Sequence, residues 1–271
     1  MFYTAGVSRA NKKEENQDSC SIMKFTVGEM SVLSLAAADG ISRGESSRWY
    51  ADAAIQSFQG RAAAFLSLHG ATKENELKSL AQDFMAEILG KVNADVTENA
   101  EKLQKGRGGC TLSAALVIGE NLVITANAGD SPIFVIGENG EITNLYTSGK
   151  TVDLMVRRGE MTLGSDEYNR QSNRLSIYIG ANELPEQASY RYTLKTGDRL
   201  IIGTDGAFDC VKEEAMKSIL TSTAVSERLC MSLLDHASKE GAYDNQTLII
   251  CGYADESIKP KKRSIFGKGK S

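Results

Sequence analysis

The chain has 271 residues, 41% of them hydrophobic, with 31 Lys+Arg against 35 Asp+Glu and a formal charge of -4. This suits one large core and excludes a chain too polar to fold. Six of the basic residues, and no acidic one, fall between Lys259 and Ser271, so the body before them carries a net -10, which argues against nucleic acid as a partner. No stretch approaches 18 apolar residues, the N-terminus lacks a basic region followed by a long apolar run, and the five cysteines (Cys20, Cys110, Cys210, Cys230, Cys251) are dispersed. A membrane span, a secretory leader and a zinc site are therefore not expected; reduced thiols in a cytoplasmic protein are.

Taken in order, residues 2–7 read as a first strand and 8–19 as a polar loop. Strands follow at 20–27 and 30–38, turning at Gly28-Glu29. Tyr50, Ala54, Phe58, Ala62 and Phe65 recur at helical spacing within 46–68, and Leu77, Leu80, Phe84, Ile88, Val92 and Val96 do so within 73–103. Two long helices between strand regions suggest a helical layer on a sheet. After a Gly-rich turn at 105–109 come strands at 110–118, 122–126, 133–136 and 141–146, whose tight polar turns indicate antiparallel pairing and leave no room for βαβ crossovers. Residues 147–187 read as an irregular excursion with one short helix, long enough to be functional. Strands at 189–194 and 199–203, helices near 212–220 and 224–239 (stopped by Gly241) and a strand at 246–253 complete a body of residues 1–257, read as one domain. The basic segment 258–271 is expected to be a disordered tail.

Three of these strands carry a carboxylate at one tip. The apolar run Val32–Ala38 ends on Asp39-Gly40, Leu200–Gly203 leads to Asp205-Gly206, and Asp244 opens the last strand. Carboxylates held at the ends of buried strands are costly to desolvate without a positive partner, and a cluster of them suits a hard divalent cation.

Lys13-Glu14-Glu15-Asn16-Gln17-Asp18-Ser19, Ala38-Asp39-Gly40, Gly109-Cys110-Thr111, Asn127-Ala128-Gly129-Asp130-Ser131, Thr204-Asp205-Gly206-Ala207-Phe208-Asp209 and Asp244-Asn245-Gln246-Thr247 occur in this order over residues 6–252. Together they resemble the motifs of the metal-dependent serine/threonine phosphatases of the PP2C (PPM) family, in its shorter bacterial form. The resemblance implies an α+β fold, a four-layer α-β-β-α sandwich of two antiparallel sheets flanked by helices. It implies two Mg²⁺ or Mn²⁺ ions, with Asp39 bridging them, the Gly40 carbonyl completing one site, and Asp205 and Asp244 binding the other ion. A third, weaker ion would sit on Asp130 and Asp205; a turn-stabilising aspartate is the structural alternative for Asp130. Water between the two cations would be activated for in-line attack on phosphoserine or phosphothreonine, with Asp18 orienting water and Lys13 binding phosphate where the family has arginine.

Thr111 and Asn245 are expected to support the site structurally, and Asp209 either to do so or to cap a helix. His69 and His236 read as surface or helix-end residues. Arg9 and Arg43 are candidates to assist Lys13, and Gln17 stands where many members have glutamate. The histidine that often follows the Asp-Gly pair is absent, as is the Asp-His stretch near Ser148-Gly149-Lys150. The implied partners are phosphorylated proteins and a cognate serine/threonine kinase or its targets. A catalytically weak phosphoprotein-binding or regulatory protein on the same scaffold is the alternative, motivated by these departures.

Overall fold

The computed structural model describes residues 1–41, 46–185 and 188–254. The strand β3 (Met30–Ala38) explains the layering. Its apolar run is continuous because both faces are buried: Val32, Ala36 and Ala38 join one core, and Leu33, Leu35 and Ala37 join another. It lies between β2 (Ser19–Val27) and β4 (Leu112–Ile118), and the sheet runs on through β5 (Leu122–Ala128) to β8 (Tyr190–Thr193), all antiparallel.

The second sheet has the order β1-β10-β9-β6-β7, made of Phe2–Arg9, Gln246–Tyr253, Arg199–Gly203, Ile133–Ile136 and Ile142–Asn144, again antiparallel throughout. Leu33, Leu35, Ala115, Val117, Ile133, Leu200, Ile202 and Ile249 fill the space between the sheets. The sandwich inferred from sequence is thus observed. The strands at 133–136 and 141–146 do not continue the sheet of the two before them: the chain crosses to the other sheet at residues 129–132.

Helices α1 (Ser46–Leu68) and α2 (Glu74–Lys102) cover the first sheet. Alanines at 51, 54 and 62 let α1 lie close to the strands while Phe58 fills the remaining volume; complete burial of such a ring contributes about 2–3 kcal/mol. Helices α5 (Glu213–Ser222) and α6 (Glu227–Glu240) cover the second sheet through Leu220, Leu229, Leu233 and Leu234. Ser226 caps α6 by accepting from the Leu229 N–H, and Gly241, at φ 117°, ends it. The excursion at 147–187 holds two short helices rather than one, α3 (Thr151–Arg157) and α4 (Asp166–Gln171). Each is too short to show an apolar stripe; α4 is marked locally by the Ser165 cap and by Asp166-Glu167 in its first turn.

Cys110, Cys230 and Cys251 are buried, with burial pushing their thiols up, to about 12 for the last two. All five cysteines are free. Among the described residues no helix is long and apolar enough to cross a membrane. The basic tail and Arg43 lie outside the described residues.

Candidate active site

The acidic residues meet where strands of both sheets end. Asp39 leaves β3 with its backbone clamped by the buried Thr111: the Asp39 N–H donates to Thr111 Oγ1 at 2.9 Å, and the Thr111 N–H donates to the Asp39 carbonyl at 2.8 Å. Thr111 Oγ1 lies 2.6 Å from Ser131 Oγ, so the Asp130 turn is tied to the same anchor. Gly40 follows in close contact with α1; a Cβ there would come within 2.4 Å of the Ser47 carbonyl oxygen.

Asp205 opens a single 3-10 turn directly after β9, and its Oδ1 accepts from the Gly206 N–H at 2.7 Å. Asp244 stands just before β10 and accepts from the Asn245 N–H at 2.8 Å. The side chain of Asn245 holds the polar loop of residues 10–17, donating to the Ala10 and Glu15 carbonyls and accepting from the Gln17 N–H. Gly206 packs on this junction so closely that a Cβ would lie 2.0 Å from the Asn245 carbonyl oxygen. Gly206→Ala is therefore expected to destabilise the metal-free protein by about 2–3 kcal/mol, the range for a side chain forced into a filled space. Urea unfolding checks this, and an unchanged midpoint would contradict the tight junction.

Asp18 enters from the start of β2 and is only 1% exposed. Its Oδ2 accepts from Thr204 Oγ1 and Thr247 Oγ1, both at 2.8 Å. Its Oδ1 is buried with no hydrogen-bond partner. Burial raises the Asp18 carboxyl to about 6, against the two hydroxyl donors and a hydrogen bond with the Asp39 carboxyl, and with a smaller push from Asp244.

Asp39 shows the strongest effect. Burial, then the charges of Asp18, Asp205, Asp244 and Asp130, drive its carboxyl well above the usual range. Asp205 rises to about 7 through burial and the charges of Asp130 and Asp209, opposed by the Gly206 N–H and Lys150. Asp209 is raised by burial and by Asp130 and Asp244, with Lys150 opposing. The six aspartates singled out in the sequence, Asp18, Asp39, Asp130, Asp205, Asp209 and Asp244, thus belong to a single electrostatic cluster.

Two lysines border the cluster. Lys13 Nζ lies 3.3 Å from Asp244 Oδ1 and 5.4 Å from the centre of the Tyr243 ring. Lys150 Nζ lies 3.2 Å from Asp130 Oδ2. Arg9 is engaged elsewhere, donating to Gln246, Asp235 and Ser238, and so belongs to the packing of α6 rather than to phosphate recognition. His69, just past the end of α1, packs at a tilt against the Phe65 ring, and His236 lies on α6.

Sequence reasoning missed Lys150, Ser131, Thr204 and Thr247. The two threonines flank Asp205 and Asp244 closely in sequence, but hydroxyl residues at strand ends have too many structural uses to stand out. Among the described residues no three His, Cys, Asp or Glu side chains already form a ligand cage. Ions held here would take few carboxylates each and complete their shells with backbone carbonyls and water, as hard cations of the Mg²⁺ type do. The donors fit such ions: they are oxygens, crowded with negative charge.

Comparison with known proteins bears on the family and the fold. A family model described as Protein phosphatase 2C matches residues 5–248. The serine/threonine phosphatase stp of Listeria monocytogenes is 24% identical over 169 residues, 62% of this chain and 67% of that protein. Protein phosphatase PhpP of Streptococcus pneumoniae is 27% identical over 151 residues, 55% of this chain and 61% of that one. The solved serine/threonine phosphatase of S. agalactiae superposes with a TM-score of 0.76 at 21% identity, covering 94% of this chain and 100% of that chain. A structure of the catalytic domain of the phosphatase PstP, in complex with 2 manganese ions, superposes with a TM-score of 0.71 at 20% identity, covering 94% of this chain and 99% of that chain.

Proposed function

Because the chain belongs to the protein phosphatase 2C family of serine/threonine phosphatases, we propose that it hydrolyses phosphoserine and phosphothreonine on proteins in a reaction dependent on Mg²⁺ or Mn²⁺. The observation that carries this reading is the half-buried Asp39, on which the charges of Asp18, Asp130, Asp205 and Asp244 converge. Such a cluster is unfavourable as bare charge and becomes favourable around divalent cations.

Asp39 and the Gly40 carbonyl would hold one ion, and Asp39 with Asp205 and Asp244 the other. When bound, these ions supply Lewis-acid polarisation of the phosphoryl group and lower the pKa of water at the site. Thr204 and Thr247 fix the Asp18 carboxylate through Oδ2, which leaves Oδ1 to accept a proton-bearing partner and orient water. Thr111 fixes the Asp39 backbone, so the bridging carboxylate keeps its place as substrate enters. Lys13, an exposed side chain at the rim of the cluster, would supply positive charge for an approaching phosphate, as a point charge rather than a planar fork.

The substrates would be phosphoproteins of a cognate serine/threonine kinase pathway in the cytoplasm. The metal-stripped chain is expected to be inert toward p-nitrophenyl phosphate and a phosphothreonine peptide, and Mn²⁺ to raise turnover at least ~100-fold, a few kcal/mol of barrier. Absence of turnover on both substrates with either Mn²⁺ or Mg²⁺ would sink the proposal. Phosphopeptide binding without turnover would instead favour a binding protein on this scaffold.

A further inference from the structure

Lys150 occupies a position that the acidic cluster would otherwise offer to a cation. The segment carrying it is held from several sides. Asn127 both donates to the Thr147 carbonyl and accepts from the Thr147 N–H, each at 3.0 Å. The Gly149 N–H donates to the Gly129 carbonyl at 2.8 Å, and the Gly149 carbonyl accepts from the Ser176 N–H at 2.9 Å. The Thr151 N–H, at the first residue of α3, donates to the Arg174 carbonyl at 2.8 Å. Residues 147–151 are thus fastened to the turn that carries Asp130.

From this base the Lys150 ammonium reaches Asp130 at 3.2 Å, with its side chain 27% exposed and that of Asp130 11% exposed. It acts electrostatically on Asp205 and Asp209 as well. The residues it engages include both carboxylates, Asp130 and Asp205, expected to hold a third ion.

We propose that the Lys150 ammonium is a built-in third cation, filling the place beside Asp130 and Asp205, so that this chain loads two divalent ions and not three. The inference rests on the two-ion reading given above. A charge count supports it. Asp18, Asp39, Asp130, Asp205, Asp209 and Asp244 act on one another and bring six negative charges when ionised. Two divalent ions with Lys13 and Lys150 bring six positive ones. A third ion would have to displace an ammonium group tethered by its own backbone, and would leave that group near another cation.

The test is calorimetric titration of the EDTA-stripped full chain with MnCl₂, reading ions bound per chain. The unsubstituted protein is expected to bind two. Lys150→Met, which keeps the aliphatic stem, is expected to bind three, the third more weakly. The double variant Lys150→Met/Asp130→Asn returns to two, which assigns the extra ion to Asp130. Asp130→Asn alone keeps two, a measurement that stands even where Lys150→Met fails to fold.

Three ions on the unsubstituted protein, only two on a folded Lys150→Met, or fewer than two on Asp130→Asn would each overturn the inference. The first two outcomes leave the two-ion reading intact, and the third would move one of its ions onto Asp130. Fewer than two ions on the unsubstituted protein would overturn that reading and this inference with it.

Discussion

Asp39→Asn is expected to lower Mn²⁺-supported turnover by at least ~10³-fold, about 4 kcal/mol of barrier, and at the same time to raise the melting temperature of the metal-free protein. The first effect follows from the place of Asp39, whose carboxylate is the one acted on by Asp18, Asp205, Asp244 and Asp130 together. An amide of the same shape cannot supply the negative oxygen on which both proposed ions would depend. The second effect follows from the same crowding. In metal-free solution the Asp39 carboxyl can be charged only against burial and four neighbouring charges, and asparagine removes that conflict while offering an N–H donor to the carboxylates around it. A rise of about 2–4 °C corresponds to about 1 kcal/mol in a domain of this size. Steady-state kinetics and thermal unfolding in EDTA read the two effects separately. A variant that lost activity and also melted lower would indicate that Asp39 is a packing residue rather than a metal ligand.

Metal-free stability is expected to fall as pH rises from 5 to 8. The folded-state carboxyls of Asp18 and Asp205 are raised to about 6 and about 7, against 3.8 ordinarily. Above the ordinary value the unfolded chain releases these protons while the folded chain retains them, so each unit of rising pH favours unfolding until the folded pKa is passed. The stability contributed by these protonated groups is therefore lost mainly between pH 4 and 7. Over the experimental range of pH 5 to 8 the loss is on the order of 3–4 kcal/mol at 1.36 kcal/mol per unit. Saturating Mn²⁺ should flatten or reverse the trend, because ions favour the deprotonated carboxylates. Urea midpoints at pH 5.5, 6.5 and 7.5, with EDTA and with Mn²⁺, give the result. A metal-free protein that grew more stable toward pH 8 would contradict the crowding of these side chains.

Much of this was legible in the amino-acid sequence because burial on both faces leaves a plain mark. The run from Val32 to Ala38 announced β3, and an acid closing such a run announced Asp39. Asp205 and Asp244 carried the same sign beside β9 and β10. The sheet to which a strand belongs was not legible. Ile133 to Ile136 is apolar on both faces and suits either sheet; its partners, β9 and β7, are fixed by pairing, in the case of β9 with a strand more than 60 residues away. Lys150 was hidden for another reason. A lysine in a polar stretch reads as solvated, and only the fold brings Asp130 to it. The helices α3 and α4 were too short for periodicity to register.

The order of the second sheet has a consequence for how the cluster comes together during synthesis. β10 lies between β1 and β9, so β1, made before the other described strands, waits for the last of them before it finds its neighbour. β2 to β5, with α1 and α2, can assemble earlier from contiguous chain, and this half already carries Asp39 and Asp130. Asp205 and Asp244 arrive with β9 and β10. The acidic cluster is thus a seam between an early half and a late half of the polypeptide. Its carboxylates meet only once β10 has been made, so a polypeptide that stops short of Asp244 cannot present the assembled centre.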